Sequence, residues 1–107
     1  MSFSIDNYDN FNYINNEQED EINLGISYLK FALLYYDKVL EIDPFNLIAT
    51  SFRGKVYYSL GQYYKAFLDL NKALDINPLE MATLLYRGEA YFNHCHYEKA
   101  FLILKKY

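Results

Sequence analysis

The feature that most limits what this chain can fold into is an internal period of 34 residues. Laid over itself at that offset, the sequence gives 73 pairs, of which 20 are identical, against about six expected from composition alone. The identities come in blocks. Arg53, Gly54 and Tyr57 return as Arg87, Gly88 and Tyr91. Tyr63, Lys65, Ala66, Phe67, Leu68, Leu70 and Lys72 return as Tyr97, Lys99, Ala100, Phe101, Leu102, Leu104 and Lys106. A fainter earlier copy matches Ala32, Leu34, Lys38, Leu40, Ile42 and Pro44 to Ala66, Leu68, Lys72, Leu74, Ile76 and Pro78.

Within each copy the apolar spacing is helical. Phe67, Leu70 and Leu74 fall at i, i+3 and i+7, and Phe52, Val56 and Leu60 at i, i+4 and i+8, so each set lines one side of a helix. The breaks fall between these runs. Asp43-Pro44-Phe45-Asn46 and Asn77-Pro78-Leu79-Glu80 each end one helix at a proline and start another, with Asn46 placed to cap. Turns are also expected at Leu60-Gly61-Gln62 and at Asn93-His94-Cys95-His96. The pattern predicts helices over 13–24, 28–42, 46–60, 63–76, 80–93 and 97–107, in units of about 13–46, 47–80 and 81–107. Residues 1–12 read as a mobile segment rich in Asn and Asp.

Composition agrees with an all-α domain. Apolar residues are 52% of 107, with four Gly and two Pro, enough for one core and too few turn-formers for a many-stranded β protein. The charge is split: residues 1–29 hold six acids and no base, and the remainder holds eight acids and ten bases. Neither part carries the basic stripe that phosphate neutralisation needs, so neither nucleic acid nor an anionic membrane is an expected partner. The single cysteine rules out an internal disulfide framework. With no basic and apolar leader at the start and no long apolar run, a cytoplasmic setting is expected.

A 34-residue helix-turn-helix with this Gly, Tyr, Ala and Pro spacing resembles the tetratricopeptide repeat (TPR), over about residues 13–107. At the family's small, aromatic and proline places stand Gly54, Tyr57, Ala66 and Pro78 in the second unit and Gly88, Tyr91 and Ala100 in the third. The first unit departs, with Asp20 at the Gly place and Asn23 at the Tyr place. The resemblance implies a right-handed α-solenoid of antiparallel helix pairs. Independently of it, Gly in mid-helix costs about 0.5–1 kcal/mol relative to Ala. Its recurrence at 54 and 88 therefore implies that a second helix approaches closely there. Asp69 is placed to pair with Arg53, while the equivalent of Asp69 in the third unit is Ile103.

The resemblance also implies a concave side lined by the first helix of each unit. Its contact candidates here are Phe52, Lys55, Tyr58, Tyr86, Glu89 and Phe92, an aromatic groove with one cation and one anion. That lining suits an apolar or amphipathic segment of a partner protein, so the expected role is a non-catalytic adaptor. Some family members clamp an acidic C-terminal tail; the matching places here are Glu17, Glu21, Phe52, Ala82 and Tyr86, which lack the cations and amides such a clamp uses. At the other end Phe101, Leu102, Ile103 and Leu104 form an apolar run with nothing after it in the sequence. Either the natural chain continues as a longer array, or this end meets another molecule, including a second copy.

Other constellations point to no chemistry. His94-Cys95-His96 has adjacent ligands that diverge and no spaced fourth ligand for zinc, and Cys95 has no orienting carboxylate for nucleophilic work. The four glycines never cluster into a phosphate-cradling loop, and the acids at 17–21 lack the calcium-loop pattern. No metal, no cofactor and no enzymatic activity are expected.

Overall fold

The computed structural model describes residues 15–106, with side chains at 15–99, 101 and 102. The segment 1–12 and the side-chain roles expected for Ala100, Ile103 and Leu104 lie outside the described residues. Four α-helices and no strand make up that span: α1 Asn16–Ile42, α2 Leu47–Ser59, α3 Tyr63–Ile76 and α4 Met81–Lys106.

The boundaries follow from local chemistry. Asn15 closes a capping box on α1: its side chain accepts the Gln18 N–H at 2.8 Å, and the Gln18 side chain accepts the Asn15 N–H at 3.3 Å. Asn46 caps α2 as the sequence implies, accepting the Ala49 N–H at 2.9 Å. The two proline turns are tightened by Asp43 and Asn77, whose side chains accept the backbone N–H two residues on. Between α2 and α3 the chain reverses at Gly61, whose φ of +77° is a left-handed conformation that costs an L side chain roughly 1–2 kcal/mol.

That turn explains where the sequence expectation fails. Helices expected at 13–24 and 28–42 are one helix, α1, and those expected at 80–93 and 97–107 are one helix, α4. Thirty-four residues before and after Gly61 stand Ser27 and Cys95, neither of which takes a positive φ. Ser27 instead donates to the Asn23 carbonyl at 2.9 Å inside the helix. Gly25 weakens α1 by about 1 kcal/mol, too little to break a helix that continues on both sides.

Facing pairs give the directions. Across α2 and α3, Arg53 meets Asp69 and Tyr57 meets Lys65. Across α3 and α4, Phe67 meets Tyr91, Asn71 meets Arg87, and Tyr63 meets His94. In both sets the numbers rise on one helix as they fall on the other, which is antiparallel pairing. Across α2 and α4, Ser51 meets Thr83, Phe52 meets Tyr86, and Tyr58 meets Glu89, so those two run parallel. The C-terminal half of α4 therefore projects past the Gly61 turn, and the N-terminal half of α1, residues 16–28, is exposed throughout.

The core lies between α2, α3 and the first half of α4: Tyr58, Ala66, Leu70 and Ala90 cluster there, with Tyr57, Tyr63, Phe67 and Tyr86 packed on them. A Cβ on Gly54 would sit 2.8 Å from the Leu70 side chain, so the close approach expected at position 54 is real. At Gly88 a Cβ would meet nothing within 4 Å, so the expected crowding is absent there. The equivalent of α3 does not fold back onto that part of α4. Tyr91, expected to pack as Tyr57 does, stacks on Phe67 with about half its surface exposed, whereas Tyr97, the equivalent of half-buried Tyr63, is 70% exposed.

Candidate binding groove

Arg53 sets the frame. Its guanidinium takes both oxygens of Asp69 on α3, each at 2.8 Å, and Asp37 on α1 at 3.0 Å. The bonds to Asp69 raise its pKa and outweigh the opposing effect of burial, so α2 is tied to the helices on either side. The Ser51 and Thr83 hydroxyls, buried and 2.8 Å apart, fix α4 alongside α2.

With those helices fixed, their aromatic side chains form a row. Tyr36 of α1, Phe52 of α2 and Tyr86 of α4 follow one another with ring centroids 6.1 Å apart at each step, and the Lys55 ammonium lies 4.7 Å above the Tyr86 ring. Phe92, one turn and a half further along α4, is 71% exposed. It borders an open hollow of about 590 Å³ lined by Leu84, Leu85, Gly88, Glu89 and Asn93. At the other end Phe52 borders a small cleft of about 70 Å³ with Leu47, Ile48 and Ala82.

The structure brings together Phe52, Lys55 and Tyr86, leaves Phe92 beside a separate hollow on α4, and takes Tyr58 out of the set. Tyr58 is buried and donates its hydroxyl to the Glu89 carboxylate. Burial first, and then Glu89, push that phenol's pKa up. Tyr58 therefore holds α4 to α2 and offers no surface to a partner, and Glu89 is engaged from below. Lys55, expected to oppose Glu89, covers Tyr86 instead. Tyr36 is the member that sequence reasoning missed: its repeat equivalent is the core residue Leu70, which gives no sign of a place in the row.

The His94-Cys95-His96 run is helical. His94 packs against the Tyr63 ring at 5.3 Å and reaches Glu98 at 3.2 Å, and Cys95 is exposed. Among the described residues no group of three His, Cys, Asp or Glu side chains is arranged to hold a metal ion, and no described helix is long and apolar enough to cross a membrane. Comparison with protein-family models finds no match, and comparisons with curated proteins and with solved structures find none either.

Proposed function

We propose that this protein is a non-catalytic TPR-like scaffold of the right-handed α-solenoid kind. It holds a peptide or helix of a partner protein against the side where α2 and α4 run together. The observation that carries the reading is the row Tyr36, Phe52 and Tyr86 with Lys55 laid over its end. Rigid aromatic rings on a helical frame offer large contact area at little entropy loss, which is the character of interface anchors. Phe92 borders the separate hollow at Gly88, and the apolar lining favours an amphipathic helix or extended apolar segment. The acids and apolar residues at Glu17, Glu21, Phe52, Ala82 and Tyr86 do not make a carboxylate clamp.

Peptides selected from a random displayed library against the immobilised protein test this. The selected set is expected to be apolar and aromatic. Its members are expected to lose at least tenfold in affinity on the double change Tyr86→Ser and Phe92→Ser, with helicity by circular dichroism unchanged. Selection of acidic C-terminal peptides whose binding fades with salt would overturn the reading.

A further inference from the structure

The side of α1 turned away from α2 carries a heptad seam. Glu17, Glu21, Leu24, Tyr28, Phe31, Tyr35, Lys38 and Ile42 alternate in steps of four and three, the spacing of a two-stranded coiled-coil contact. All eight are exposed, and Tyr28, Phe31 and Tyr35 are each about two-thirds bare. The half-buried residues Leu29, Leu33, Tyr36, Asp37 and Leu40 lie on roughly the opposite side at 100° per residue, with half-buried Ala32 and Val39 at the border between the two faces. The first helix expected to fold back on this side runs straight on instead, and among the described residues nothing covers it.

We propose that a second copy of this chain covers the seam, its α1 lying antiparallel on α1 of the first. The charges choose both occupant and direction. Antiparallel pairing sets Leu24 against Tyr35 of the second copy and Tyr28 against its Phe31. The same register places Glu21 against Lys38; 24 + 35, 28 + 31 and 21 + 38 all give 59. Each apolar contact is made twice and is flanked on either side by an ion pair, with Glu17 against Ile42 outermost. Parallel pairing would put Glu17 and Glu21 on their own copies and Lys38 on Lys38, which repel. Gly25 and Ala32 flank the centre, and small residues let two helices approach. Each folded body, packed on residues 30–42 of its own α1, lies diagonally across from the other, beside the partner's N-terminal half. The result is an isologous twofold dimer. It uses a face distinct from the groove and does not rest on the binding reading.

Sedimentation of the full chain across concentration, with circular dichroism as a check on folding, tests it. Wild type is expected to be a dimer and Phe31→Glu a folded monomer. Lys38→Glu alone and Glu21→Lys alone are each expected to weaken association on the order of tenfold at low salt, since two symmetry-related pairs are lost. An equimolar mixture of these two variants is expected to regain it as a heterodimer. A wild-type chain that stays monomeric at high concentration would overturn the proposal, as would a dimer indifferent to Phe31→Glu. If the helices were parallel, neither single change would weaken association, since each would replace one like-charge contact by another.

Discussion

Two stretches of this molecule are spelled almost alike and end in different places. In the first, Gly54 lies under Leu70, Tyr63 and Phe67 are half-buried, and Gly61 turns α2 back into α3. In the second, 34 residues on, Gly88 faces open space, Tyr97 and Phe101 are 70% and 64% exposed, and the chain passes Cys95 without turning. The letters that would pack are present in both. The letter that permits the reversal is present in one. A repeat's packing residues thus specify what a hairpin would bury, and a single backbone-permissive residue decides whether it closes.

The largest effect is expected where the closed hairpin is filled. Leu70→Ala removes a fully buried side chain and should cost about 2–5 kcal/mol, while Leu102→Ala on the projecting half of α4 should change stability by less than about 0.5 kcal/mol; denaturant melts of the two variants sharpen or break the contrast. Next comes the charge pair. Arg53→Ala strands Asp69, which is 5% exposed, and should cost about 2–4 kcal/mol, whereas Arg87→Ala, bonded only to the exposed Asn71 at 3.1 Å, should be nearly silent in the same melts.

The glycines should differ in sign. Gly54→Ala forces a methyl into Leu70 and should destabilise by about 1–3 kcal/mol, while Gly88→Ala should stabilise α4 by about 0.5–1 kcal/mol. Equal signs for the two would show that the second region folds back after all. The smallest effect is alkaline. Tyr57 and Tyr58 both have pKa values raised by burial above the ordinary 10.0, so the fold favours their neutral forms. That stability is fully present below pH 10 and drains as pH rises beyond it. Tyr58→Phe should flatten the fall in melting temperature above pH 10, and a variant with the wild-type slope would remove Tyr58 from that account.

The same comparison explains what the sequence could and could not disclose. The Asn46 cap, the proline turns, the Gly61 reversal and the Arg53 to Asp69 pair were all legible, because each depends on residues close in sequence or one repeat element apart. The straight courses of α1 and α4 were not, because matching identities at a fixed offset rewards Tyr97, Lys99 and Phe101 and gives no special weight to the mismatch of Cys95 with Gly61. In the groove, Phe52, Lys55 and Tyr86 lie side by side, while Phe92 borders a separate hollow. Tyr58 fails because its hydroxyl found Glu89 on the adjacent helix, a contact that spacing within one helix does not reveal.

Arg53 has a wider consequence. One guanidinium grips a carboxylate on the helix before it and another on the helix after it, so loosening either neighbour leaves the same cation under-served. Repeat arrays commonly melt piecemeal from their ends. Here such a shared rivet makes the C-terminal third of α1 yield together with α2 and α3.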